Sequence, residues 1–587
     1  FFKRDMGIFA PVAAFAVGSL VLYTFTLMLY GLHLPIKIAL IIYTLVITLM
    51  NVIVLPKINR AALYKQAKIV IAIVFLSSVV FSIWKFDNPY PYVLNWDIFE
   101  HQTLVNEMKQ GKFSVLPSHV SDTFRFDGYT TLYYVLVGVP QILVEPEPLG
   151  FWWIVELLHL VTTVTASYVL AYAITKKQLV ALISAVFGAF IFESYIAYAS
   201  FFLVPQTLAA MLSVFAIAYL FHTWNKEKRV DAGVLIVWTV TILVVHLIVG
   251  AAAILLVGVI YLGKKTRLSE KSRYFIPVWL LLTAIAYVVL TFGVTKLPLT
   301  TINYGEAASY IHLLSTKIEY LRVFYGWSIF ILVLLGAIIT IVRNKGNERL
   351  VLLVMSLTLV VVASPLPYVF KFYVLGRYLV HIVMAIAVGW IFMKVTAPLL
   401  RVLMSSALLV TLAMVLVLNA RYWKDFVRYG NQTTLISKYE IEAAEFVKNK
   451  YAGKKTLLVS DPATSYVLEA VSAVNSPGGA YMNQQNREKV NALFQVSNRD
   501  EFLTYLYAIK DTQQTNEPDA YIMIVSGRAY QWHKSEDAQK YNLSFNIFSP
   551  KALPLEAYQY GEKITEYGAK PIFANREVML FEVRRDI

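Results

Sequence analysis

About thirteen apolar segments fill the first 420 residues of this chain, and they restrict it to very few folds. A helix needs about 20 apolar residues to cross a bilayer, and the longer segments meet that length. The candidate spans are residues 6–31, 34–55, 69–84, 151–174, 179–192, 201–224, 230–245, 247–262, 274–294, 325–342, 350–363, 378–393 and 402–418. With 58% hydrophobic and 15% charged residues, the sequence predicts a polytopic α-helical membrane protein.

The charged residues between the spans predict the orientation. Lys and Arg concentrate in alternate short loops, which the positive-inside rule places on the cytoplasmic side. If Lys3 and Arg4 lie inside, the odd number of spans puts the C-terminus outside. The same rule explains the formal charge of +15, so a nucleic-acid partner has no support. The absence of cysteine excludes disulfides and thiolate sites.

The first long outward loop, residues 85–150, is where we expect chemistry. It carries eight Asp and Glu residues against four Lys and Arg residues. An ionised carboxylate beside a membrane is costly unless it has a role. Asp97, within Asn95-Trp96-Asp97-Ile98-Phe99-Glu100-His101, is the carboxylate that we expect to have such a role.

Two parts of this loop have predictable local structure. Residues 96–111 predict a helix that lies along the surface, with Phe99, Leu104 and Met108 on its apolar side. Residues 130–144 are apolar but short, which favours a half-embedded segment over a crossing.

After Asn419 the composition becomes that of a soluble domain. The pattern predicts helices over 440–449 and 464–473, strands over 456–460 and 520–526, and a hairpin of 571–574 with 578–583. Strands that alternate with helices indicate a compact α/β domain, which the topology places outside the cytoplasm. No Gly-rich phosphate fingerprint follows a strand, so nucleotide binding has no support.

A family resemblance rests on several of these features together. Asp97 followed four residues later by His101 at a helix start, the segment Tyr129-Thr130-Thr131-Leu132-Tyr133-Tyr134, the many helices and the soluble C-terminal domain resemble the GT-C superfamily. Its members are polyprenyl-phosphate-dependent membrane glycosyltransferases. The resemblance implies N-terminal helices outside the family over 1–68, a GT-C-like transmembrane catalytic domain over 69–420, and an extracytoplasmic α/β domain over 421–587.

Two departures from the family pattern bear on mechanism. The Trp-Trp-Asp signature of oligosaccharyltransferase catalytic subunits is absent. No Asp-x-Asp occurs, which weakens a bound-metal mechanism. No cofactor is required by the residues themselves, and a divalent metal, Mg²⁺ or Mn²⁺, stays open as an alternative.

The resemblance implies a catalytic role for Asp97 and a phosphate-holding role for Arg377. Transfer of a sugar from a lipid phosphate to a hydroxyl needs a base for the acceptor proton and a cation for the departing phosphate. Asp97 is the candidate base, His101 could orient or charge-balance it, and Glu193 could be a second acidic site residue. Glu306, in the second outward loop over 295–325, is a further acidic candidate. For the donor phosphate, Arg377 offers a planar fork of N–H donors and Lys371 offers a point charge. His381 lies one helical turn from Arg377.

Each candidate also has a purely structural interpretation. Asp97 could only cap its helix, Arg377 could be an interfacial Arg that reaches the headgroups, and Glu193 could be a solvated helix end. Glu156 and His159 fit an interhelical polar pair better than a catalytic one.

The expected function is transfer of a sugar from a polyprenyl-phosphate-linked donor to a protein, lipid or glycan acceptor. The reaction would occur on the outer face of the cell membrane, in a multi-pass protein. Two alternatives from other classes stay open: a transporter or flippase of lipid-linked saccharides, and a non-catalytic subunit of a membrane complex. A transporter would place its charges near the bilayer midplane, whereas here they cluster at outer helix ends.

Overall fold

The computed structural model describes residues 9–32, 60–87, 97–110, 132–144, 146–190, 205–223, 232–265, 335–339, 372–411, 436–478, 482–510, 517–535 and 551–585, with isolated positions at 37, 40, 41, 44, 45, 353 and 413. The elements are α1 (Phe9–Gly31), α2 (Arg60–Asp87), α3 (Asp97–Lys109), α4 (Leu132–Val144), α5 (Pro148–Thr175), α6 (Gln178–Phe190), α7 (Pro205–Thr223), α8 (Ala232–Val245), α9 (Leu247–Lys265), α10 (Phe372–Lys394), α11 (Lys438–Tyr451), β1 (Thr456–Val459), α12 (Pro462–Ser472), α13 (Gln484–Leu493), α14 (Arg499–Ala508), β2 (Ala520–Ser526), α15 (Gly527–Lys534), α16 (Leu555–Glu566), β3 (Lys570–Ala574) and β4 (Val578–Arg584). The chain divides into two compact units.

Unit 1 comprises Phe1–Asp87, Gly128–Leu136 and Ile154–Arg421. Its helices α1, α2 and α5 to α10 each coincide with a predicted apolar run, and the apolar helix Pro398–Thr411 overlaps the run 402–418. Among the helices that the structure describes, α5 and α7 are long and apolar enough to cross a membrane by length and composition. A mostly helical chain with apolar helices is therefore confirmed. The runs 34–55, 274–294, 325–342 and 350–363 lie mostly or wholly outside the described residues, so the number of spans stays a prediction.

A single histidine separates α8 from α9, at the boundary that the two apolar runs predicted. The Nδ1 atom of the buried His246 accepts a hydrogen bond from the backbone N–H of Val249 at 3.3 Å, as an N-cap side chain does. A Cβ atom on Gly250 would stand 2.8 Å from the Cα of Leu243. Glycine therefore lets the first turn of α9 lie against α8.

Unit 2 comprises Asn88–Asp127, Val137–Trp153 and Tyr422–Ile587. Its four-stranded sheet has the order β1-β2-β4-β3, in which β1 is parallel to β2 and the other pairs are antiparallel. The predicted strands and hairpin are confirmed. Asn575 closes the hairpin, because its side-chain oxygen accepts the backbone N–H groups of Glu577 and Val578 at 3.1 and 2.9 Å.

Both faces of this sheet are covered. Alternate residues of β1, β2 and β4, including Leu457, Met523 and Phe581, share an apolar core with helices α13 to α16. Residues that point the other way, such as Leu458 and Ile522, are also fully buried, and α11 and α12 contact these strands. The small mixed sheet with helices on both sides is the predicted α/β arrangement.

Polar caps explain where the helices of unit 2 begin. Ser437 and Glu440 form a capping box at α11, and the Asp461 carboxylate at α12 accepts the N–H groups of Ala463 and Thr464. Helices α13 to α16 were not predicted from the sequence. The first two start at Asn483 and Asn498, which are cap residues, but weak apolar periodicity follows them.

The end of α12 offers a test of the backbone geometry. Ala473 caps this helix in the left-handed region, with φ of 60°, where a Cβ atom is strained. We expect Ala473→Gly to stabilise unit 2 by about 1 kcal/mol, measured by thermal unfolding of the full chain. Ala470→Gly, inside the same helix, is the matched control and should destabilise by about 1 kcal/mol. Equal losses from both substitutions would contradict the strained conformation.

Candidate functional site

The helix predicted in the outer loop is present and begins at Asp97. Phe99, Leu104 and Met108 are buried as predicted, but the polar positions on the opposite faces are buried too. Every residue that the structure describes from His101 to Met108 is less than 9% exposed. Helix α3 is therefore an interior element of unit 2 and does not lie along a surface, which corrects the expectation from the sequence.

A hydrogen-bonded hub at Gln102 accounts for the buried polar face of α3. The Gln102 side-chain oxygen accepts the Trp152 Nε1–H at 2.8 Å and the Gln141 amide at 3.0 Å. Its amide nitrogen donates to Asn106 at 2.9 Å and to Gln141 at 3.1 Å. These amide and indole groups are 0–6% exposed, so each unmade bond would cost about 1–3 kcal/mol. The hub fixes α3 against α4 and the start of α5.

Close packing accompanies the hub. A Cβ atom on Gly138 of α4 would stand 2.8 Å from the Met108 Sδ atom and 3.6 Å from Val105. A side chain at this position would displace the Met108 thioether, so glycine favours the close approach of α4 to α3, one turn before the hub residue Gln141. The part of α4 from Val137 onwards is thus a partner of α3 within unit 2.

Helix α3 also contacts α12 of the C-terminal segment. The ring of Phe99 meets the buried ring of Tyr466 edge to face, with centroids 6.2 Å apart. The Asn106 amide donates to the Ala470 carbonyl at 2.8 Å, and the Gln110 amide donates to the Ala473 carbonyl at 3.0 Å. Residues 363 or more positions apart in sequence therefore hold the two helices together.

His101 lies beside Trp152 in this interior, with ring centroids 6.2 Å apart. Burial lowers the pKa of His101 to about 3. The ring is therefore neutral at physiological pH. A neutral ring favours the orienting role of His101 over a role in balancing the charge of Asp97.

The depressed pKa of His101 gives a pH prediction. A folded-state pKa near 3 against an unfolded value of 6.5 means that the unfolded chain binds the extra proton. Above about pH 6.5 His101 is neutral in both the folded and the unfolded chain. As the pH falls, the unfolded chain takes up the proton, and the free energy of unfolding drops by about 2 kcal/mol near pH 5. His101→Phe keeps a ring and removes the titration, so its melting temperature should fall less between about pH 7 and pH 5. Parallel losses in both proteins would refute this assignment.

The donor-phosphate candidates lie around α10. Arg377 belongs to this helix, and its side chain lies outside the described part. His381, one turn further, is 2% exposed, and its Nδ1 atom lies 3.8 Å from the point where a Cβ on Gly188 of α6 would stand. The Ser167 hydroxyl lies 2.6 Å from the same point. His381 is thus packed among α5, α6 and α10 in the interior of unit 1.

The remaining candidates lie partly or wholly outside the described residues. These are the side chain of Asp97, and Lys371, Glu193 and Glu306. Glu156 and His159 are each 1% exposed on α5, consistent with an interhelical role. Sequence reasoning missed Gln102, Asn106, Gln141 and Trp152. Their only signal was the pair of amides Gln102 and Asn106 at helical spacing in the outer loop, a pattern that solvated helices share.

The described residues do not fit a divalent metal. Among them, no group of three or more His, Asp or Glu side chains is placed to hold an ion. His101 offers a neutral ring in an aromatic and amide setting, not the oxygen ligands that Mg²⁺ prefers.

No protein-family model matches the chain, and no curated protein matches it. Solved structures of the oligosaccharyltransferase of Archaeoglobus fulgidus do resemble it. One, named AglB and complexed with an inhibitory peptide and a dolichol-phosphate, has a TM-score of 0.48 and 11% identity, over 78% of this chain and 70% of that one. Another, with Zn and sulfate, has a TM-score of 0.48 and 12% identity, over 80% and 70%.

A third structure of that enzyme, tethered to an acceptor peptide with the NVT sequon, has a TM-score of 0.47 and 11% identity, over 77% of this chain and 68% of that one. Archaeal oligosaccharyltransferase AglB is a polyprenyl-phosphate-dependent glycosyltransferase of the GT-C superfamily, so these neighbours belong to the family that the sequence resembles. With TM-scores below 0.5, the likeness assigns no role to any residue here.

Proposed function

We propose that the protein is a membrane glycosyltransferase that moves a sugar from a polyprenyl-phosphate-linked donor to an acceptor on the outer face of the membrane. One observation supports it most strongly. The outer-loop helix that starts at Asp97 is buried from His101 to Met108 and is tied by amide hydrogen bonds to α4, α5 and α12. A helix that only lay along the membrane surface would not need to be held in place by buried hydrogen bonds.

The roles follow from the chemistry of the transfer. Asp97 takes the proton of the acceptor as the acceptor oxygen bonds to the anomeric carbon. The bond from that carbon to the donor phosphate breaks, and the phosphate leaves with the electron pair. Arg377 stabilises this leaving group with paired N–H donors, assisted by Lys371 and His381. His101 orients the Asp97 carboxylate without adding charge, and Glu193 serves as a second acidic group.

The proposed topology has thirteen spans, an inward N-terminus and an outward C-terminal domain from about residue 421. We expect protease added to intact cells to remove the C-terminal domain, because the basic loops alternate with the apolar runs. Protease added to inverted vesicles is the matched control and should leave that domain intact. The opposite pattern would overturn the outer-face site.

Radiolabelled donors distinguish this function from its alternatives. The purified chain in liposomes is given polyprenyl phosphates that carry different labelled sugars, with peptide, lipid and glycan acceptors. The proposed enzyme moves label to one acceptor class and releases polyprenyl phosphate. A flippase leaves the label on the lipid and changes its leaflet. A non-catalytic subunit does neither, and either of these two outcomes contradicts the proposal.

A further inference from the structure

We propose that the C-terminal α/β segment sets the position of Asp97 through three positioning residues: Tyr466, Asn106 and Gln102. The inference rests on the catalytic role proposed for Asp97. It assigns to the C-terminal segment a part in catalysis.

The geometry begins with the stiffness of α3. A helix of 13 residues moves as one rod, because its backbone hydrogen bonds couple every turn to the next. Its N-terminal half is held at Phe99 by the ring of Tyr466. Its C-terminal half is held at Asn106 by the carbonyl of Ala470, four residues further along the same α12. Two anchors on one partner helix fix both the tilt and the axial position of α3.

Rotation of α3 about its axis is fixed by the hub. Gln102 bonds Trp152 and Gln141 on one side, and Asn106 on its own helix. Rotation of α3 about its axis would break several buried hydrogen bonds at once, and water cannot replace them there. The place of the first residue, Asp97, is therefore determined by residues five to nine positions away, and by α12.

Two pairs of substitutions in the full chain test this positioning. Tyr466→Ala removes the ring that holds Phe99, whereas Tyr466→Phe keeps it. Asn106→Leu removes the buried amide bond to α12, whereas Gln110→Ala removes the equivalent bond on the exposed side, where water replaces it. If Tyr466→Ala does not fold, Tyr466→Leu also removes the aromatic ring but keeps more apolar volume.

The measurements are kcat and KM for transfer from the labelled polyprenyl-phosphate donor, with amide hydrogen exchange over residues 97–110. We expect Tyr466→Ala and Asn106→Leu to lower kcat about 10- to 100-fold, since misplacement of a reacting group by about 1 Å costs that much. KM should change less than about 3-fold, because the donor contacts are untouched. Exchange over α3 should rise in both, while Tyr466→Phe and Gln110→Ala behave as wild type.

Three results would overturn the inference: unchanged kcat in both disruptive variants, equal losses in Tyr466→Phe and Tyr466→Ala, or no rise in exchange over α3. The failure of the proposed function is distinguishable from these. If the wild-type chain transfers no sugar, the glycosyltransferase assignment fails, and the exchange data still decide whether α12 holds α3 in place.

Discussion

Replacing Asp97 with asparagine should nearly abolish sugar transfer while leaving folding and donor binding intact. An amide keeps the size and helix-capping ability of the carboxylate but accepts no proton at neutral pH. Loss of a general base lowers turnover about 100- to 10,000-fold. Turnover of the purified chain with a labelled polyprenyl-phosphate donor measures this, alongside its melting temperature in the same detergent.

Glu100→Gln is the matched control for this substitution. It makes the same chemical change three residues further along α3 and should keep turnover within about 3-fold. Near-normal turnover in Asp97→Asn would make Asp97 a helix cap and move the search for the base to Glu193 or Glu306. An unchanged melting temperature with lost turnover is the expected combination.

The second large effect concerns stability. Glu440→Ala should destabilise unit 2 by about 3–5 kcal/mol, because it leaves the buried Arg528 charge without its partner. The two side chains are each 1% exposed and 2.9 Å apart. Glu440 also accepts the Ser437 N–H at 3.1 Å in the capping box of α11, which adds about 1 kcal/mol. Burial raises the pKa of Glu440, and the nearby Arg528 opposes that rise.

The measurement is thermal unfolding of the full chain, followed by a probe in unit 2. Glu445→Ala, on the exposed side of the same helix, is the control and should change stability by less than about 0.5 kcal/mol. Glu440→Leu combined with Arg528→Met should recover most of the loss, since an apolar pair needs no counter-charge. Equal melting temperatures for Glu440→Ala and Glu445→Ala would refute the buried pair.

Local pattern predicted the elements of this fold where one physical cause dominates. The apolar runs that the structure describes are helices, because their length and composition leave few alternatives. Even the break at His246 was visible as a polar residue between two runs. The strand at Ala520–Ser526 was predicted at its exact bounds, since a buried apolar run is flanked by polar residues there.

The setting of α3 could not be predicted in the same way. Gln102 and Asn106 are polar residues in a loop, and such residues are usually solvated. They are buried because Tyr466, Ala470, Gln141 and Trp152 come from distant parts of the chain to enclose them. The pKa of His101 depends on the same long-range packing. Sequence spacing records which face Asp97 and His101 share, but not what covers that face.

Cryo-electron microscopy of the full chain with a bound polyprenyl-phosphate sugar tests the central claim most directly. Asp97 and Arg377, 280 residues apart in sequence, must act on one substrate if the mechanism holds. We predict that the donor phosphate lies within hydrogen-bond distance of the Arg377 guanidinium, and that the Asp97 carboxylate faces the anomeric carbon from the other side. Asp97 and Arg377 on opposite sides of the helix bundle, or a donor bound away from both, would contradict the mechanism.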